Sequence, residues 1–221
     1  MGYWGIFIGL MIVSFIIQQM LQSKFNKYSK VGLGMTGAEV ATKMLHDNGI
    51  YDVKVLPTRG MLTDFYNPQN KTVNLSEGVY NSNSVAAAAV AAHECGHAVQ
   101  HAKGYAPLKM RSALVPVVTF ANQAVMWVLL VGMLMIHISP ALLWFGIALF
   151  AMTTIFSFIT LPVEINASRR AVNWLESAHI TDGETTPMAT DCLKWAAYTY
   201  VVAAISSLAT LLYYIGIARD R

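Results

Sequence analysis

Apolar residues dominate long stretches of this chain, and charged residues interrupt them at only a few places. Residues 3–21 carry no charge and end before Lys24, Lys27 and Lys30. A second charge-free interval lies between Arg111 and Glu164, long enough for two passes through about 30 Å of hydrocarbon at about 20 residues each. His137-Ile138-Ser139-Pro140 supplies the turn between them, because proline suits a first helical turn and not a helix interior. The pattern therefore predicts spans near 113–137 and 141–162. A fourth run, from about Trp195 to Ala218, stops at Arg219-Asp220-Arg221. The first span opens on Tyr3 and Trp4, with no basic stretch before it and no small-residue cleavage site after it, so it reads as a retained anchor.

The segment between the first and second spans changes pattern. Thr36-Gly37-Ala38-Glu39 has the spacing of a capping box, and a helix follows with Val40, Ala41, Met44 and Leu45 on one face and Gly49 as its stop. Three short β-like runs come next, at 51–56, 61–66 and 71–75, with Asn67-Pro68-Gln69-Asn70 as the turn joining the last two. Residues 82–103 then read as one helix. Ser82 or Ser84 is its N-cap, an alanine-rich run follows, and Gly104 ends it. This run is too short for a span and carries titratable residues, so it belongs inside the protein.

The expected fold is mainly α. It is a polytopic membrane protein with four transmembrane helices and a small α+β segment that carries the 82–103 helix. The chain divides into an anchor helix at 1–21, the small α+β segment at 22–112, and a two-helix transmembrane hairpin at 113–163. A membrane-proximal segment at 164–194 and a fourth span with a short tail at 195–221 complete it. A composition of 55% hydrophobic and 12% charged residues agrees, since soluble domains carry about 25% charged residues. Every Lys and Arg except Arg219 and Arg221 falls on the face shared by 22–112 and 164–194. The positive-inside rule puts that face in the cytosol. A net charge of +3, with no basic stripe, excludes a nucleic-acid module. Two cysteines, Cys95 and Cys192, are too few for a disulfide framework. Asn122, Gln123, Thr153, Thr154 and Ser157 are the polar residues within the hairpin. Hydrogen bonding between helices accounts for them, with a route for a membrane-proximal substrate as the sharper alternative.

Chemistry concentrates at His93-Glu94-Cys95-Gly96-His97, an H-E-x-x-H pattern on a predicted helix. Positions i and i+4 share a helix face, so two imidazoles there can bind one Zn²⁺ at about 2.0–2.1 Å. Glu94 is placed to act as general base toward a water that zinc acidifies to a pKa of about 7. Two core histidines and a salt-bridging glutamate would be the bland account. Burying those three groups among alanines is costly unless a metal compensates. Cys95 points off the histidine face and reads as a packed thiol. Gly96 either permits close packing or makes room beside the metal. His101, one turn further on, reads as a surface or supporting residue.

A catalytic zinc needs a third protein ligand and an open position. Gln100 and Lys103 occupy the places where a metzincin has Gly and His, which excludes that class. Glu164, at the end of the third span beside Leu161-Pro162-Val163, is the best carboxylate. Glu39, Glu77, Glu176, Glu184 and Asp191 sit in polar surroundings with milder explanations.

Three motifs together carry a family resemblance: Leu62-Thr63-Asp64-Phe65-Tyr66-Asn67-Pro68, the His93–His97 pattern followed by Ala98-Val99-Gln100, and the run Pro162-Val163-Glu164-Ile165-Asn166-Ala167-Ser168-Arg169-Arg170-Ala171. Nearly the whole chain resembles the YugP-type neutral zinc metallopeptidases, small bacterial membrane proteins. Its architecture is similar to that of the HtpX and CAAX prenyl proteases. The resemblance implies a gluzincin-like site, with His93, His97 and Glu164 holding one Zn²⁺ per chain. Relatives usually carry Asp four residues after the third-ligand Glu, where it orients a metal-binding histidine. Here that position is Ser168, with Asn166 as another candidate for the task.

The oxyanion donor is open among Arg169, Arg170, His179 and several tyrosines. The strand Lys71, Thr72, Val73, Asn74 and Leu75 could pair with an extended substrate. The partners expected are a protein or peptide substrate, membrane-associated chains included, and the lipid bilayer. Oligomeric state is left open. Two rivals stand beside this reading. One is a site-2-type intramembrane protease, using Asp182 beside Gly183. The other is a non-catalytic zinc scaffold or chaperone, which would need a fourth protein ligand.

Overall fold

The computed structural model describes residues 2–219, without the side chains of residues 2–4. The expected aromatic anchors Tyr3 and Trp4, and the tail residue Arg221, therefore lie outside the described residues or side chains. The chain is mainly helical: α1 (Gly2–Tyr28), α2 (Gly37–Asp47), β1 (Lys54–Thr58), β2 (Phe65–Asn67), β3 (Thr72–Ser76), α3 (Glu77–Tyr80), α4 (Val85–Ala102), α5 (Ala106–Leu134), α6 (Pro140–Ser177) and α7 (Thr185–Arg219). Four of these helices, α1, α5, α6 and α7, are long and apolar enough to cross a membrane.

All four of the long helices outrun the apolar runs that announce them. α6 has 38 residues, about 57 Å at about 1.5 Å per residue, nearly twice the hydrocarbon thickness. It continues from the apolar run through Glu164 to Ser177, and α7 begins at Thr185, before the run that starts at Trp195. The segment expected at 164–194 is thus mostly helix, with only a short turn near 178–184. Charge marks where a chain leaves an apolar medium. It does not stop a helix built from good helix formers such as Ala, Leu and Glu.

α5 and α6 form an antiparallel pair. A Cβ on Gly132 would meet the Leu143 backbone nitrogen at 2.9 Å, so the turn between them is close-packed. α7 packs along α6, and α1 packs along α7. Thr154 and Ser207 hydroxyls bond at 2.7 Å, tying α6 to α7. Thr153 and Ser157 instead donate to carbonyls of their own helix, and Asn122 and Gln123 are exposed, so bonding between helices accounts for only one of the five polar residues.

The Thr36 capping box forms as predicted. Thr36 N–H donates to Glu39 Oε2 at 2.7 Å, and Glu39 N–H donates to Thr36 Oγ1 at 3.3 Å. The sheet has the order β1-β3-β2, with β1 parallel and β2 antiparallel to β3. Each strand starts later than its apolar run. For β2 the cause is visible: Asp64 accepts from Ser76 N–H at 2.7 Å, which holds the 59–64 segment as a loop until Phe65. The order also corrects one expectation. The strand at 71–75 is central, paired on both sides, so it has no free edge for a substrate; the outer edges belong to β1 and β2.

α4 runs from Val85 to Ala102 with Ser84 as N-cap, its hydroxyl accepting from Ala87 N–H at 3.3 Å. Nearly all of its side chains are buried against α2, α6 and α7. Gly96 is where α4 meets α6. A Cβ there would stand 2.7 Å from the Ala167 carbonyl oxygen and 3.1 Å from its Cα, so the close-packing reading of Gly96 is the one the fold supports. Gly96→Ala pushes two backbones apart. Overpacking costs about 1–3 kcal/mol, against about 1 kcal/mol gained in helix propensity. We expect a net loss of about 1 kcal/mol, read as a lower denaturation midpoint in detergent; an unchanged or raised midpoint would show that the two helices are free to separate.

Candidate metal centre

α4 presents His93 and His97 one turn apart on the face that meets α6, with ring centroids 4.9 Å apart and planes nearly perpendicular. Glu164 reaches them from α6. Its Oε2 lies 3.3 Å from His93 Nε2 and 3.4 Å from His97 Nε2. This oxygen is buried and no hydrogen bond reaches it. Leaving a buried carboxylate oxygen unpaired costs a protein several kcal/mol unless a cation compensates. The three donor atoms lie within 4.8 Å of one another, and two imidazoles plus a carboxylate is a donor set that suits zinc. The residues present therefore fit a metal ion.

The groups behind these side chains turn them toward the site. Ser168 Oγ lies 3.1 Å from His93 Nδ1, so the serine stands where the family resemblance expects an aspartate. Gln100 Oε1 lies 3.1 Å from His97 Nδ1. The orientation of that amide follows from its other end, where Nε2 donates to the Val163 carbonyl at 2.8 Å and to Asn166 Oδ1 at 3.0 Å. Oε1 is thus left to accept from Nδ1–H, and the Nε2 lone pair of His97 faces the carboxylate. Gln100 is fully buried and links α4 to the residue before Glu164. The sequence marks it only as standing where a metzincin has glycine and as part of the family motif, with no orienting role. Its position three residues after His97, on the same helix face, was the available signal.

Both partners of the Nδ1 atoms are neutral, and this sets an expectation. Loss of an orienting partner costs about 10–100-fold in metal affinity. Gln100→Ala should weaken zinc binding by that order, and Ser168→Asp should strengthen it by adding a charge to the His93 bond. Chelator competition measures both, and equal affinity in all three proteins would remove any orienting role.

The remaining charges are arranged around the same carboxylate. Arg111 Nη1 on α5 donates to Glu164 Oε1 at 3.2 Å, so one oxygen faces the arginine and the other the histidines. Glu94 is buried, and its Oε2 accepts from Tyr66 N–H on the free edge of β2 at 3.0 Å. Burial works to lower the His97 pKa, but Glu164 and Glu94 outweigh it and hold it above the usual histidine value. Burial holds the Asp64 carboxyl above the usual value, against two bonds from Ser76. Cys95 is inaccessible, and burial pushes its thiol well above the ordinary range, as fits a packed side chain.

A cavity of about 580 Å³ exposes His93, Glu94, His97 and Glu164. Tyr66, His101, Arg111 and Tyr200 share its lining. The Tyr66 hydroxyl lies 3.0 Å from His101 Nδ1, which puts His101 on the cavity wall and not among the three donors. Arg169, Arg170 and His179 do not line it. Arg169 is exposed, Arg170 Nε donates to Asn166 at 2.7 Å, and His179 is exposed in a left-handed turn with φ 54°. Asp182 accepts from Glu184 N–H and Thr185 N–H at the start of α7, away from the histidines.

Residues 3–219 match the family described as "putative neutral zinc metallopeptidase". The chain is 44% identical over 207 residues, 93% of its length and 91% of the relative's, to a Bacillus subtilis (strain 168) protein described as "putative membrane protease YugP". No solved structure matches it. With a His-His-Glu cluster able to hold a metal and four helices suited to a membrane, the chain belongs to this neutral zinc metallopeptidase family.

Proposed function

We propose that this protein is a membrane-embedded zinc metallopeptidase that hydrolyses peptide bonds, with one zinc ion per chain held by His93, His97 and Glu164. The observation that carries the reading is the buried, unpartnered Oε2 of Glu164, placed within 3.4 Å of both Nε2 atoms. α1, the α5–α6 pair and α7 would be the membrane-crossing elements. The face bearing α4 and the sheet would lie in the cytosol of a plasma membrane, on the charge asymmetry of the chain.

A zinc ion bound there supplies a Lewis acid for the scissile carbonyl and lowers the pKa of water toward about 7. The chain supplies the proton traffic and the positioning. Glu94 takes the proton of the attacking water and delivers it to the leaving amine, and Tyr66 N–H holds the carboxylate in place for both transfers. Arg111 keeps Glu164 Oε1 occupied, so that Oε2 alone points at the histidines. With Arg169, Arg170 and His179 outside the cavity, the Tyr200 hydroxyl and the Arg111 guanidinium, which is bonded to Glu164, are the donors nearest the third ligand for a developing oxyanion. The free edge of β2 is the place for an extended substrate to add as a strand.

Neither rival gains an observation. Asp182 caps α7, and among the described residues three side chains, not four, converge at the site. The test is hydrolysis of an unfolded model protein by the full chain in detergent, before and after zinc is stripped and restored. Activity should vanish with the metal and return at one zinc per chain. Full activity in the stripped protein would overturn the reading.

A further inference from the structure

The cavity at His93, His97 and Glu164 is lined by two unlike groups of residues. One is Pro68, Gln69 and His101 of the sheet-bearing segment. The other is Leu108, Ser112 and Val115 of α5, with Tyr200 of α7. Leu108, Arg111, Ser112 and Val115 follow an i, i+3, i+4, i+7 spacing, so a single face of α5 forms that wall. Among the described residues no helix covers this face at its far end: Ser112 is exposed and Val115 is 45% exposed. α5 and α7 each pack along α6 but not along one another. The cavity therefore opens sideways, between α5 and α7, at the level of Val115 and Tyr200.

Charge sets the depth of that opening. Arg111 is the last charged residue of α5, and the charge-free run begins directly after it. Val115 lies one turn further along the helix axis, about 6 Å. Tyr200 lies six residues past Lys194, the last charge before the apolar run of α7, about 9 Å. An opening at this depth faces acyl chains. A chain already held in the bilayer meets it directly, whereas a water-soluble peptide reaches the cavity only from the side of Gln69 and His101.

Granting the peptidase reading of the site, we propose that its substrate is a polypeptide anchored in the bilayer by an apolar segment. The chain enters between α5 and α7 and is cut a few residues outside its anchor. Apolar side chains next to the anchor lodge against Leu108, Val115 and Tyr200, while the scissile bond lies at the histidines beside β2. The Arg111–Glu164 contact puts the metal ligands level with Arg111, about one turn from Val115. An extended chain rises about 3.3 Å per residue, so about two to four residues bridge that distance. The spacing between anchor and cut is thus part of the recognition.

The experiment uses the full chain in nanodiscs and three peptides sharing one cleavable sequence. One carries an apolar anchor about four residues away, one the same anchor about twelve residues away, and one no anchor. The short-spaced peptide should be cleaved about tenfold or more faster than the other two, because anchoring and correct reach together raise its effective concentration at the site. Val115→Trp should reduce the ratio of short-spaced to unanchored cleavage by narrowing the opening. In Glu94→Gln, which needs no turnover, a photoreactive group in the short-spaced anchor should label α5 between residues 108 and 115, or α7 around Tyr200. Equal rates for all three peptides, or labelling confined to Phe120 and Trp127 on the exposed flank of α5, would overturn the proposal. Hydrolysis of the unanchored peptide by the wild type, lost in Glu94→Gln, reports separately on the peptidase reading.

Discussion

Glu94→Gln should lower peptide hydrolysis by about 10²–10⁴-fold while leaving zinc content at the wild-type level. The reason lies in what the substitution keeps. Glutamine has the length of glutamate, and its Oε1 can still accept from Tyr66 N–H, the bond that holds the side chain at 3.0 Å. His93, His97 and Glu164 keep their places, so the metal donors are undisturbed. What is lost is the ability to take a proton from water and return it to the leaving amine. Activity and bound zinc, measured on the same preparation, separate this from unfolding. Full activity would assign the base elsewhere, and loss of zinc would make Glu94 part of the metal set.

The chain was unusually legible where a motif ties chemistry to a period. An i, i+4 pair of histidines in an alanine-rich run can only be a shared face of a buried helix, and the nearest carboxylate at an apolar boundary was Glu164. Those three side chains do converge. The four apolar runs marked the four long helices for the same reason, since about 20 uncharged residues have few other uses. The ends of the helices were not legible, because α6 carries good helix formers straight past the boundary that its charges mark. The sheet was legible as three runs but not in its order. The parallel β1–β3 pairing places the last strand in the middle, and nothing in the alternation of three short runs distinguishes that from a meander. The supporting groups were the least legible. Arg111 read as a topology signal and Gln100 as a missing metzincin glycine. Their roles depend on which helix faces which, and that is decided by Gly96 and Ala167 at the α4–α6 crossing.

Glu164→Ala should weaken zinc binding by more than about 100-fold, beyond the 10–100-fold expected when only an orienting partner such as Gln100 is lost. It removes the one anionic donor of the three, so the metal keeps two neutral imidazoles and whatever water replaces the carboxylate. It also frees Arg111. That side chain is 31% exposed and can turn to solvent, so the fold should survive and the loss should appear in metal affinity. Glu164→Gln refines the result. The amide can still accept from Arg111 through its oxygen, but it offers the histidines no charge. If the charge is what the metal needs, Glu164→Gln should bind zinc nearly as poorly as Glu164→Ala. If the Arg111 contact is what matters, Glu164→Gln should bind nearly as well as the wild type, and Arg111→Ala should then fail to bind. Chelator competition on the four proteins decides between these patterns. Wild-type affinity in Glu164→Ala would mean that the buried oxygen facing the two histidines is not a ligand, and the site would have to be rebuilt around a different third donor.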